Sequence, residues 1–176
     1  MNRCVFFDRD GIINRSPGPG YVERVEDFHL QSGFVAAARV VLAHGYAVAV
    51  ATNQRGVARG IVSIRTVEAI HAHMTAALAE QGVPLLGVFC CPHERDTCTC
   101  RKPQPGLLLA AARTHNLDLG ACWMVGDNET DIEAGRRAGC RSILVSEQPA
   151  AKTRATLVAP GIEALAAVLD QALAPA

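Results

Sequence analysis

The chain has 176 residues, 49% of them apolar and 19% charged, with 17 basic and 17 acidic side chains and a formal net charge of zero. That length suits one domain with a real core, and the balanced charge excludes a nucleic-acid or lipid surface as the main partner. Apolar runs fall short of a membrane span, and Asp8 and Asp10 interrupt any signal-peptide core, so a cytoplasmic chain is expected. Seven cysteines in such a compartment point to thiols or a metal site rather than disulfides. The even composition, without an obvious apolar patch, leads us to expect a monomer.

Taken in chain order, the first predicted strand is 3–7, an apolar run that ends in Asp8-Arg9-Asp10-Gly11. Residues two apart at a strand end point to one side, so Asp8 and Asp10 are expected to project together into the crevice at the C-terminal edge of the sheet. A stretch at about 12–28 carries Ser-Pro-Gly-Pro-Gly without a clean period and reads as a flap. A helix follows at 33–44, closed by Gly45, then a strand at 46–51 that ends in Thr52-Asn53-Gln54. Ser63 caps a helix at 63–81 before Gly82, and a strand at 86–90 follows.

The segment 91–104 is dense in Cys, His and Pro, and Pro105 starts a helix at 106–115. A strand at 122–125 runs into Gly126-Asp127-Asn128-Glu129-Thr130-Asp131, followed by a helix at 129–138 with Gly139 behind it. A strand at 142–145 and a helix at 161–173 complete the pattern. Alternating strands and helices predict an α/β fold with a doubly wound parallel sheet in one domain, residues 1–176, without a separate cap. Both long loops follow strands at their C-terminal ends and should rim one crevice.

The chemistry collects at these ends. Asp127 and Asp131 beside Asp8 and Asp10 would give the oxygen-rich site that Mg²⁺ favours, although each alone could be a turn or a helix cap. Thr52 and Asn53 offer donors suited to an oxyanion or a phosphate. In Arg101-Lys102-Pro103 a fixed cation near the carboxylates would neutralise a bound phosphate. Cys91, His93, Cys98 and Cys100 form Cys-x-His-x₄-Cys-x-Cys, a ligand set for a closed structural Zn²⁺ site. Cys90 competes with Cys91, and Cys91 is preferred because Cys90 can end the strand as a small hydrophobe. Cys4, Cys122 and Cys140 read as core, and His71 and His73 as surface or packing residues of a helix.

Together these motifs resemble the haloacid dehalogenase superfamily of phosphohydrolases. Its four motifs occur in order as Asp8-Arg-Asp10-Gly, Thr52, Lys102 and Gly126-Asp127-x₃-Asp131. Asp8 through Gly11, Thr52-Asn53-Gln54-x-Gly56-x-Ala58-Arg59-Gly60 and the Cys/His segment running into Arg101-Lys102-Pro103 are similar to subfamily IIIA. That subgroup holds the D-glycero-D-manno-heptose 1,7-bisphosphate 7-phosphatases and the histidinol-phosphatases. The resemblance implies a Rossmann-like core and a Mg²⁺-dependent phosphomonoesterase. Asp8 would be the nucleophile that becomes an aspartyl phosphate, and Asp10 the acid/base. Mg²⁺ would be held by Asp8, the backbone carbonyl of Asp10 and Asp127, with Asp131 orienting the site, while Thr52 and Lys102 would bind phosphoryl oxygens. Gly20, Tyr21, Asn53, Gln54, Arg55, Arg101 and Asn128 would touch the substrate.

Gly56 through Gly60 is similar to the heptose enzymes and favours the C7 phosphate of the heptose bisphosphate. The short zinc loop is closer to the histidinol-phosphate enzymes, the alternative. Arg55 departs from both and would suit a second phosphate or another anionic group. A receiver-like phospho-acceptor also places acids and a Lys at strand ends, but does not need the Asp-x-Asp pair.

Overall fold

The computed structural model describes residues 2–148 and 152–175. Its strands are β1 (Cys4–Phe7), β2 (Ala47–Asn53), β3 (Leu85–Cys91), β4 (Trp123–Gly126), β5 (Arg141–Val145) and β6 (Leu157–Ala159). Its helices are α1 (Ser32–Ala43), α2 (Ile64–Glu80), α3 (Gly106–His115), α4 (Glu129–Ala138) and α5 (Leu165–Leu173). All strands run parallel in the order β3-β2-β1-β4-β5-β6. This is the expected doubly wound sheet, with no separate cap domain among the described residues.

Strand side chains alternate between two apolar layers, as the pleat requires. Val5, Phe7, Val48, Val50, Trp123 and Val125 face one layer, where Phe34 and Val41 of α1, Ile70 and Met74 of α2 and Leu165 and Leu169 of α5 close over them. Cys4, Phe6, Ala49, Ala51 and Met124 face the other, against Leu107, Leu108 and Ala111 of α3. Burying both faces is why each strand reads as a continuous apolar run. Cys4, Cys122 and Cys140 are buried, as expected. Burial pushes the Cys140 thiol up to about 12, which makes it an inert small hydrophobe.

Local signals set the helix starts. The Ser63 hydroxyl accepts from the Thr66 amide at 3.0 Å, and Asn128 and Asp131 form a reciprocal capping box at the start of α4. No helix among the described residues is long and apolar enough to cross a membrane.

Beyond one-residue shifts at element ends, three details differ from the sequence reading. β2 continues to Asn53, because Thr52 and Asn53 pair with Cys90 and Cys91 of β3. β6 was not expected: it is three residues long, and its Leu157 and Val158 are exposed, so it leaves no period in the sequence. Residues 162–164 form a 3-10 turn, and the last helix starts only at Leu165. The flap expected at about 12–28 is anchored, since Ile12, Ile13, Val22 and Phe28 are buried in the core and Gln31 Nε2 donates to the carbonyls of Gly11 and Ile12.

The Cys/His loop packs tightly on the start of α3. A Cβ at Gly106 would overlap the Thr99 carbonyl and lie 2.7 Å from the Cys100 Cα. Gly106→Ala should therefore destabilise the protein by about 1–3 kcal/mol, even though Ala is intrinsically the better helix former by about 1 kcal/mol. A thermal melt in which G106A matches or exceeds the parent would show that this contact is not close.

Candidate active site

β1 delivers Asp8, β4 delivers Asp127, and the first turn of α4 delivers Asp131. Their carboxylate oxygens lie within 4.8 Å of one another. Two glycines leave room for this crowding. Gly11 has φ +89, and a Cβ there would collide with the Asp127 carboxylate; one at Gly126 would collide with that of Asp131. Burial, with Asp8 adding to it, pushes the Asp127 carboxyl up to about 6. A compact all-oxygen donor set of three carboxylates within reach of one another fits a hard divalent cation.

The Lys102 ammonium lies 2.9 Å from Asp8 Oδ1 and 2.6 Å from Asp131 Oδ1, and donates to the Ala51 carbonyl at 2.6 Å. Burial alone would lower its pKa, but Asp131 and Asp8 outweigh burial and hold the ammonium charged. Asn53 fixes the Lys102 backbone at both ends. Its Nδ2 donates to the Lys102 carbonyl at 3.0 Å, and the Lys102 amide donates to its Oδ1 at 3.1 Å.

Asp10 is held separately. Arg9 Nε and Nη2 donate to its carboxylate at 3.0–3.1 Å, Asn14 Nδ2 to Oδ1 at 3.0 Å, and Gln54 Nε2 to Oδ2 at 3.0 Å. Gln54 also donates to Thr52 Oγ1 at 2.9 Å. Arg9 is fully buried, and its Nη1 lies 3.1 Å from His71 Nε2 on α2. Asp8 and Asp10 both line the cleft, but different cations hold them.

That cleft is about 750 Å³ and also takes in Asn53, Arg95, Arg101, Lys102, Asp127 and Asn128. Of the expected substrate contacts, Asn53, Arg101 and Asn128 line it, whereas Gly20, Tyr21, Gln54 and Arg55 do not. Gln54 is 1% exposed, its amide already committed to Asp10 and Thr52. Tyr21 packs over Gly56. Arg55 lies 3.5 Å from Glu94, which also takes Arg59 at 2.9 Å, so the cation expected to meet substrate faces a carboxylate of the Cys/His loop. The sequence reading missed Arg9, Asn14 and the placement of His71. One signal for His71 was available: it falls on the same helical stripe as Val67, Met74 and Leu78, the buried face of α2.

The second cluster joins Cys91, His93, Cys98 and Cys100, without Cys90. Sulfur–sulfur distances are 3.2, 3.4 and 3.6 Å, and His93 Nδ1 lies 3.3 and 3.6 Å from the Cys100 and Cys91 sulfurs. Zn–S bonds of about 2.3 Å give tetrahedral edges of about 3.8 Å, so the donors fit one tetrahedral ion. Burial and the neighbouring thiols push Cys100 up to about 12, a crowding that a cation would relieve.

Comparison with known proteins places this geometry. A family model described as "HAD-hyrolase-like" matches residues 99–172. The chain is 37% identical over 180 residues, 97% of this chain and 100% of the other, to the D-glycero-beta-D-manno-heptose-1,7-bisphosphate 7-phosphatase of Pseudomonas aeruginosa. It is 40% identical over 152 residues, 82% of this chain and 79% of the other, to the D-glycero-alpha-D-manno-heptose-1,7-bisphosphate 7-phosphatase of Burkholderia mallei. Among solved structures, the D,D-heptose 1,7-bisphosphate phosphatase of B. bronchiseptica, complexed with magnesium and phosphate, superposes with a TM-score of 0.83 at 34% identity, covering 98% of this chain and 99% of that one. Similarity of this extent, over a sheet whose strand ends carry the four ordered motifs, makes the chain a member of the haloacid dehalogenase superfamily and a phosphoric monoester hydrolase of its phosphatase type.

Proposed function

We propose that the protein is a Mg²⁺-dependent phosphatase that works through an aspartyl phosphate on Asp8 and removes the C7 phosphate of D-glycero-D-manno-heptose 1,7-bisphosphate. The observation that carries the reading is the meeting of Asp8, Lys102, Asp127 and Asp131 at the strand ends, in a chain alike over nearly its whole length to enzymes named for that reaction. The relatives include both the alpha and the beta forms of the name, which makes the anomer the variable that a substrate panel separates.

In this reading an Asp8 oxygen attacks phosphorus in line as the bond to the sugar oxygen breaks. Asp10 gives its proton to the departing alkoxide, then takes one from the water that attacks the aspartyl phosphate and releases inorganic phosphate. Thr52 and Lys102 bind phosphoryl oxygens, and Asn53 and Gln54 hold Lys102 and Asp10 in place. Asp8, the Asp10 backbone carbonyl and Asp127 would hold Mg²⁺, which supplies positive charge against the phosphoryl oxygens, with Asp131 fixing Lys102 beside them. Positioning and charge neutralisation carry most of phosphoryl transfer, which is what this arrangement offers. Arg101 and Asn128 on the cleft wall contact the sugar. Zn²⁺ on Cys91, His93, Cys98 and Cys100 would stiffen the loop that carries Arg101 and Lys102. The chain acts as a single domain and a monomer, in the cytoplasm.

The test is kcat/KM across both heptose 1,7-bisphosphate anomers, histidinol phosphate and an aryl phosphate. One heptose bisphosphate anomer should lead histidinol phosphate by about 10²-fold or more; a faster histidinol phosphate would install the alternative. Asp8→Asn should abolish turnover, and Asp10→Asn should slow it by about 10²-fold or more; wild-type rates in either would remove that residue's role. Metal analysis should find about one tightly held zinc per chain, and EDTA should stop turnover until Mg²⁺ is restored. A zinc-free protein of unchanged melting temperature would refute the loop site.

A further inference from the structure

Arg9 is a fully buried guanidinium one residue from each carboxylate of the first motif. Its Nε and Nη2 are spent on Asp10, and its Nη1 points away from the cleft to His71 Nε2 at 3.1 Å, 62 residues away in sequence. A guanidinium has no lone pair to offer, so Nε2 must be the acceptor, and the ring must be neutral with its proton on Nδ1. Burial, reinforced by Arg9 and opposed by Asp10, pushes the ring down to about 4, so the accepting form persists at neutral pH.

We propose that His71 is a positioning residue for phosphoryl transfer: it fixes the Arg9 guanidinium from behind and so holds the Asp10 carboxylate where it exchanges protons with the leaving group and the attacking water. The proposal rests on the reading of Asp10 as the acid/base. A buried N–H without an acceptor is costly, so without His71 the guanidinium turns to find another partner, and its two-pronged grip on Asp10 loosens. Asn14 and Gln54 still bind Asp10, so the loss is partial. The Arg9 guanidinium bonds neither Asp8 nor Lys102 and meets the phosphate side only through its backbone amide on Asp8, while Lys102 has its own partners, so ground-state binding is largely kept.

The experiment compares His71→Phe, which fills the space without an acceptor, with His71→Gln, whose amide oxygen can accept from Arg9. Rates are measured on the fastest substrate of the panel, with melting curves as a folding control. H71F should lower kcat about 10-fold with KM changed less than about two-fold, and H71Q should return to within about three-fold of the parent. In an Asp10→Asn background H71F should cost nothing further, since the residue through which it acts is gone. The proposal falls if folded H71F keeps the parental kcat, if H71Q is no better than H71F, or if H71F costs as much in the D10N background as in the parent. Should H71F fail to fold, His71→Met, of similar bulk with only a weak acceptor, takes its place under the same criteria. A D10N enzyme of parental rate would instead remove the acid/base premise, a separate result from any of these.

Discussion

A single ammonium group ties the candidate active site together. Lys102, 2% exposed, lies between Asp8 and Asp131 and donates to the backbone of β2 at Ala51. Three elements and a loop thus converge on one almost fully buried charge at the floor of the cleft. Removing either carboxylate would leave a poorly compensated buried charge, and breaking such pairs costs about 3–5 kcal/mol. The register of β1, β2 and β4 is therefore part of the chemistry, because a slip of one residue would withdraw Asp8 or Ala51 from the lysine. Asn53 secures the same point by bonding the lysine backbone on both sides.

The two aspartates of the first motif receive opposite treatment although one residue separates them. Asp8 joins Lys102 and the acidic pair from β4 and α4, where a metal would concentrate positive charge. Asp10 is turned to Arg9, Asn14 and Gln54. Keeping two carboxylates in different surroundings within one motif is a general way to give two like groups different work. Arg9 is what makes the separation possible, because its backbone amide donates to Asp8 Oδ1 at 2.8 Å while its guanidinium grips Asp10.

The cleft is walled by loops, with no separate cap among the described residues. Glu94, beside the zinc-ligand candidate His93, takes both Arg55 and Arg59 from the loop after β2. The backbone amide of Arg95, with Arg59 beside it, holds the Glu94 carboxyl down at about 2, so it stays ionised across the physiological range. The flap is fastened by Ile12, Ile13, Val22 and Phe28, which sink into the core. Anchoring of this kind lets loops without cores of their own present polar groups at fixed positions.

Much of this was legible in one dimension. Strands buried on both faces are continuous apolar runs, helices carry their caps, and the motif acids sit where those runs stop, so the sheet class, the strand-end acids, Thr52, Lys102 and the Cys/His quartet all follow from local pattern. What local pattern does not carry is partnership across the fold. β6 is too short and exposed to mark itself, and the flap's buried apolar residues have no period because a loop, not a regular element, places them. Arg55 looked like a free cation until Glu94, 39 residues on, was brought beside it, and His71 looked like packing until α2 laid it against Arg9. The sequence by itself determined which polar groups stand at the strand ends, since strand ends and side-chain types are local properties. Only the tertiary structure decided which cation answers which carboxylate, because burial makes each charge depend on neighbours that the chain order does not place next to it.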